Sequence, residues 1–177
     1  YNEKDFKFNA EKGGKVLFNP KENILSGENV ELNLDNQLIK AESFQAGFDG
    51  ENIDSVKLKG GVYEDKRRNL EYSSDEEFSV YLDGRRIDNE DNAISVLSQE
   101  DETHIYGKGS VKILNNDKLS YTGESPDALV DYYVEDNSFD IKKGDAVLKN
   151  NNRIVNVKQG SVFLNKKHSD SNGDEAE

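Results

Sequence analysis

One short phrase recurs along the chain: a glycine, a step of one to three residues, a valine, and an apolar residue soon after. It occurs as Gly27-Glu28-Asn29-Val30, Gly60-Gly61-Val62, Gly107-Lys108-Gly109-Ser110-Val111, Gly144-Asp145-Ala146-Val147 and Gly160-Ser161-Val162. Successive valines are 32, 49, 36 and 15 residues apart, so the phrase persists while its period varies. Glycine interrupts a strand where the backbone bends or approaches another segment closely, and alternating apolar residues mark a half-buried strand. Recurrence of such a unit predicts stacked antiparallel hairpins, each burying its apolar face against the next.

The intervening segments alternate in the same way. Val30, Leu32 and Leu34 alternate with Glu31 and Asn33, and Asp35-Asn36 makes a turn. On the return strand Ile39 and Ala41 share a face but Phe44 is out of phase, which predicts a bulge near Glu42-Ser43. Val56 with Leu58, Leu70 with Tyr72, Phe78 with Val80 and Leu82, and Ile94 with Val96 make further strands. Gly13-Gly14 splits the first apolar pieces, and Gly84-Arg85-Arg86 and residues 88–92 read as exposed connectors. Ser125-Pro126-Asp127 offers a helix cap, yet the valine and tyrosine of 128–134 favour a strand. Sustained helical periodicity is missing, so the chain reads as all-β. Its expected organisation is an N-terminal extension at 1–13, one β domain at 14–165 and a disordered acidic tail at 166–177.

Composition bounds the function. Only 33% of the 177 residues are hydrophobic, against about half in a typical globule, and another 33% are charged. A structure one sheet thick, with much surface, reconciles that poverty with the periodic placement of the apolar residues. A net charge of −13 argues against nucleic acid, whose binders need a basic stripe, and against electrostatic docking on an anionic membrane. There is no cysteine, which removes disulfides, thiol catalysis and cysteine-based zinc sites. No run of Ala, Val, Ile, Leu, Phe or Tyr exceeds three residues, so no segment reads as a membrane-spanning helix. The chain begins at Tyr1, which leaves room for a targeting segment or membrane anchor upstream.

Catalytic chemistry finds no constellation, and the chain is read as a non-enzyme without cofactor or metal. His104 lies in an alternating strand and His168 in the tail. Asp88-Asn89-Glu90-Asp91-Asn92 resembles a calcium loop in composition alone, without the glycine and glutamate that such a loop places sixth and twelfth. Gly107-Lys108-Gly109 is too short for a phosphate loop. The chemistry left is the apolar inner face. Two sheets closing on one another as a sandwich core would use it, and so would two sheets splaying into a groove for an apolar ligand.

The phrasing resembles the OstA-like family of periplasmic proteins that transport lipopolysaccharide. Leu25-Ser26-Gly27, Val30, Leu32, Ile39-Lys40-Ala41 and Phe44 match the family's repeat of apolar strand, Gly-x-Val turn, Ile-x-Ala strand and aromatic. A second copy runs from Ile105 through Gly107, Val111 and Ile113 to Leu119-Ser120-Tyr121, which replaces Ile-x-Ala. Phe139, Ile141, Gly144, Val147, Ile154, Gly160 and Val162 echo it once more. An acidic insert at 88–102 departs from the pattern. The resemblance covers about residues 14–165. It implies a V-shaped β-jellyroll whose apolar interior groove holds acyl chains, with open sheet edges that pair with neighbouring jellyroll domains and allow head-to-tail oligomers.

On that basis the expected function is a periplasmic bridge or shuttle, possible as a membrane-anchored subunit, for a lipopolysaccharide-like glycolipid. The expected groove residues are Val30, Leu32, Ile39, Ala41, Phe44, Val56, Leu58 and Val62 in the first half. Phe78, Val80, Ile94, Val96, Ile105, Val111, Ile113, Leu119 and Tyr121 continue it, and Phe139, Ile141, Val147, Val155 and Val162 complete it. The alternative is a structural or adhesive β-repeat protein with a closed core, binding a protein partner through an edge strand.

Overall fold

A computed structural model of the chain describes residues 7–115, 119–151 and 153–158, with side chains from residue 14 onward. Val162 and the tail at 166–177 lie outside the described residues. Every regular element among the described residues is a strand. In chain order these are β1 (Lys7–Asn19), β2 (Ile24–Leu34), β3 (Gln37–Asp49), β4 (Asn52–Lys59), β5 (Val62–Asp65), β6 (Leu70–Ser73), β7 (Phe78–Tyr81) and β8 (Ala93–Gln99). Then come β9 (Glu102–Lys108), β10 (Lys112–Asn115), β11 (Leu119–Gly123), β12 (Leu129–Tyr133), β13 (Ser138–Lys143), β14 (Ala146–Asn150) and β15 (Arg153–Val157). All 15 belong to one nearly closed, barrel-shaped sheet of jellyroll type.

The sheet is organised by three long strands. β2 pairs with β3 along its whole length, and β1 pairs with the outer edge of β2. The other edge of β3 forks. Its first half, Gln37 to Lys40, pairs with β5, and its second half, Ser43 to Asp49, pairs with β4. Two arms grow from that fork. The first arm is β4-β7-β8-β9-β12-β13 and the second is β5-β6-β10-β11-β14-β15. The chain builds them by alternation, laying one to three strands on one arm, crossing over, and laying the next on the other.

The glycine phrase marks these crossings. Gly60-Gly61 carries the chain from β4 to β5, Gly109 from β9 to β10, and Gly144 from β13 to β14, each time from the first arm to the second. Gly60, Gly109 and Gly144 have φ of +66°, +83° and +84°, a region that glycine enters without steric cost. A Cβ on Gly61 would lie 1.9 Å from the Lys40 carbonyl oxygen, so the backbone passes too close to β3 for any side chain. The crossings line up as a seam at the corner between the arms.

Phe44 is out of phase with Ile39 and Ala41, as its spacing suggests, but the cause is a corner rather than a bulge. The register between β2 and β3 is the same on both sides, with Glu28 opposite Ser43 and Val30 opposite Ala41. Both strands change face together there, because Glu28, Asn29 and Glu42 point outward and Ser43 is only half-buried. Asn29 takes a positive φ of 54°, and the Glu42 amide donates to the Gly60 carbonyl at 3.4 Å. The Gly13-Gly14 split, by contrast, is a register shift between Ala10 and Lys15 inside a continuous β1. Residues 129–133 form strand β12, in keeping with the β-branched and aromatic residues there.

One connection departs from the stacked antiparallel hairpins. β7 and β8 are parallel, so residues 82–92 must cross over the sheet. That connector is not simply exposed: Ile87 is buried, and Ala93 and Ser95 beneath are buried on the face that solvent would otherwise reach. Alternation is accordingly lost in β8, where Ala93, Ile94, Ser95 and Val96 are all buried.

Candidate mouth cleft and inner face

The inner faces of the arms meet across the interior in continuous cross-strand rows. On the second arm one row runs Leu32, Ile39, Tyr63, Tyr72, Ile113, Tyr121, Leu148 and Val155, each opposite the next. On the first arm a row runs Ala46, Val56, Val80, Ile94, Gly107, Val130 and Ile141, and another runs Val96, Ile105, Tyr132 and Phe139. Such directly opposed pairs are the unit of sheet stabilisation.

Nearly all the expected groove residues face inward. Val30, Leu32, Ile39, Ala41, Phe44, Val56, Leu58, Phe78, Val80, Ile94, Val96, Ile105, Val111, Ile113, Leu119, Tyr121, Phe139 and Ile141 are buried, and Val155 is half-buried against them. Val62 and Val147 are corrections. Both are half-buried with inward neighbours, Tyr63 in one case and Ala146 and Leu148 in the other. At Gly144 the inward seat falls two residues on, at Ala146, as it falls at Val111 after Gly109. After Gly60 the seat falls three residues on, at Tyr63, because the second glycine, Gly61, makes the tight passage over Lys40 and Ala41. Sequence reading missed Tyr63, Val130, Tyr132, Ala146 and Leu148 as inner residues. Tyr63 and Tyr132 were legible as members of alternating runs once the phase of each strand is set from its far end.

The arms touch around Tyr132 and Phe139. The Tyr132 and Phe139 rings stack at 4.1 Å on the first arm, and Phe139 lies 6.1 Å from Tyr121 on the second. The Asn115 amide donates to the Tyr132 hydroxyl at 3.0 Å, bridging one arm to the other. Opposite the seam, the tips of the arms leave a cleft of about 440 Å³. Leu34, Ile53, Leu82 and Val96 give it an apolar lining, and Asp35, Glu51, Arg67, Arg68 and Asp83 stand around its rim. Its volume falls within the range of small-ligand sites. A second, shallower depression lies further along the tips, between Gln99, Glu100, Asp101 and Glu102 and residues Tyr133, Glu135 and Asp136.

Polar groups collect beneath the mouth on the second arm. Asp65 is buried and paired with Arg68, whose guanidinium also lines the cleft. The hydroxyls of Tyr63, Tyr72 and Tyr121 are buried without a hydrogen-bond partner. Burial pushes all three phenols well above their ordinary range, and the Asp65 charge pushes Tyr63 and Tyr72 further.

The outer face of the first arm holds the one described histidine. His104 is sandwiched between Tyr106 and Tyr133, with ring centroids at 4.2 and 4.1 Å, and its Nε2 lies 3.7 Å from Asp131. Lys142 sits 2.9 Å from Asp140 and 3.7 Å from Asp131. Burial holds His104 below its usual pKa against the pull of Asp131, and burial raises Asp131. Among the described residues no group of three or more His, Asp or Glu is arranged to hold a metal ion.

A scan against protein-family models finds none that matches this chain, and a search of the curated proteins finds no significant match.

Proposed function

We propose that the protein is a non-enzymatic lipid carrier of the cell envelope, a bridge or shuttle for a lipopolysaccharide-like glycolipid between inner and outer membranes. The acyl chains lie between the two arms and the head group stays at the tips. The observation that carries this reading is the two-armed sheet, with a continuous apolar inner face and a cleft of about 440 Å³ at its tips opposite the seam. Each CH₂ buried there contributes about 0.8 kcal/mol, so tails alone supply substantial affinity. In the turn at the mouth Lys66 and Arg67 offer cations to an anionic head group, beside the acids Asp35, Glu51 and Asp83 that share the rim.

Edge strands support the bridging part of the reading. β1 pairs only with β2, β13 only with β12 and β15 only with β14 among the described strands. Leu17 on β1 and Ile154 on β15 are exposed large hydrophobic side chains on two of those edges. An open edge with an apolar side chain is a template for a strand from another jellyroll domain, or from another copy of this chain.

Site-specific photocrosslinking to lipid tests the proposal, in envelopes of a lipopolysaccharide-producing bacterium. Crosslinkers replace Val96 at the cleft, Ile113 on the inner face and Lys112 on the outer face. Lipid adducts at Val96 and Ile113 but not Lys112 are the expected result; a folded protein with no adduct at any site removes it. That second outcome favours a closed-core structural or adhesive protein, a reading to which the Tyr132–Phe139 stack and the Asn115–Tyr132 bridge lend support, since they fill the space between the arms.

A further inference from the structure

An interior built only for hydrocarbon has no use for buried hydroxyls. Tyr72 is wholly buried, and its hydroxyl has no hydrogen-bond partner. The Tyr63 hydroxyl is in the same state, approached by the Gln37 side chain without a closed hydrogen bond. Phenylalanine would fill both seats without leaving a polar atom unsatisfied, and a phenol buried without a partner is destabilising. The two rings are neighbours across the β5–β6 pair, 5.9 Å apart. They lie beside Asp65 and Arg68, and Gln37 and Arg68 both line the mouth cleft. Two unspent donors therefore sit behind the Gln37 and Arg68 wall of a cleft of mixed polar and apolar lining that opens to solvent.

Resting on the lipid-carrier reading above, we propose that the mouth is a recognition site for an acyl carbonyl. The Tyr63 and Tyr72 hydroxyls donate to the carbonyl oxygen of an ester or amide while the attached tail runs between the arms. A phenol donates and a carbonyl only accepts, so the pairing satisfies both. The same seat disfavours a free fatty acid, because Arg68 is already held by Asp65 and burying an ionised carboxylate without a free cation costs far more than burying a neutral ester or amide. The linkage region of an acylated glycolipid offers this combination, and a bare alkyl chain does not.

Displacement of the fluorescent probe N-phenylnaphthylamine from the full chain tests the site. The competitors are monolauroylglycerol, its ether analogue dodecylglycerol, and laurate, which share a twelve-carbon chain and differ at the first oxygens. Monolauroylglycerol is expected to displace the probe about ten-fold more tightly than dodecylglycerol, the value of about one hydrogen bond. Laurate should compete more weakly than the ester. Tyr72→Phe and the Tyr63→Phe/Tyr72→Phe pair should bring the ester-to-ether ratio to about one while probe binding is kept and Tm is unchanged or raised. Equal displacement by ester and ether, laurate as tight as the ester, or a preference that survives in the double variant overturns the carbonyl site and leaves the carrier reading standing. A folded protein that binds neither probe nor competitor overturns the carrier reading, and the carbonyl site with it.

Discussion

The two arms bury faces of similar extent with different chemistry. The first arm lines the interior with Val56, Leu58, Phe78, Val80, Ile94, Ile105, Phe139 and Ile141, and its one inner phenol, Tyr132, takes a hydrogen bond from Asn115. The second arm places Tyr63, Tyr72 and Tyr121 in one row with partnerless hydroxyls, together with the buried Asp65 and Asn115. Their outer faces differ too. The connector bearing Ile87 covers part of the first arm, next to the stacked His104 cluster. One arm is thus packed in part on both sides, with its orphaned polar atoms at Ser95, His104 and Asp140 on the outer face, and the other keeps its unsatisfied phenols inside. Equal burial therefore does not mean equal contribution to stability, and the second arm is where a ligand or water would gain most by entering.

The largest effect should come from the packed arm. Phe139→Ala removes a fully buried ring that stacks on Tyr132 and faces Tyr121, and should cost about 3–5 kcal/mol in urea unfolding. A loss below about 1 kcal/mol would show that the arms are not packed against each other there. Next comes the seam that separates the arms. Gly61→Ala drives a methyl into the Lys40 carbonyl and should cost about 2–3 kcal/mol, whereas Gly50→Ala, with open space around its Cβ, should cost less despite its positive φ.

The sharpest contrast is between tyrosines. Tyr132→Phe removes the hydrogen bond from Asn115 and should destabilise by about 1 kcal/mol. Tyr72→Phe removes a hydroxyl that has no partner and should leave stability unchanged or raise it by up to about 1 kcal/mol. Matched denaturation curves of the two variants, differing in sign, would establish the asymmetry; the same loss in both would erase it.

The smallest effect is pH-dependent and belongs to the outer face of the first arm. Asp131, Glu102, Arg86 and Lys142 all act on His104, yet burial dominates and lowers its folded pKa. A depressed histidine binds its proton less readily folded than unfolded, so stability falls as pH drops through the unfolded value of 6.5. Asp131 is raised by burial, so its contribution runs the other way, favouring the fold as pH falls through its raised value towards the ordinary carboxylate range and complete below it. Urea midpoints at pH 7.5 and 5.5 should therefore drop in the parent, and drop less in His104→Gln. An identical drop in the variant would place the sensitivity elsewhere.

Much of this was legible beforehand, residue by residue. Alternation of Val56 with Leu58 or Ile94 with Val96 states which side chains share a face, because the period of a strand is two. A glycine followed by a valine states that the chain turns and a strand begins again. What such patterns do not carry is the partner. Nothing local to Val62 distinguishes it from Val111, yet one is half-buried and the other buried, because Gly61 crosses β3 so closely that a Cβ there would lie 1.9 Å from a carbonyl oxygen. Nor does the stretch 82–92 announce that it crosses a sheet; Ile87 is a lone apolar residue among charges, and only the parallel pairing of β7 with β8 requires the crossing.

By itself, then, the sequence determined an all-β chain, the strands, the turns and most of the inner face, since each follows from local periodicity and backbone freedom. The tertiary structure decided that β3 forks, that successive hairpins go to alternate arms, and that two tyrosine hydroxyls end beneath a cleft. These depend on which distant strands pair, and pairing is settled by the summed burial of the whole sheet rather than by any one segment.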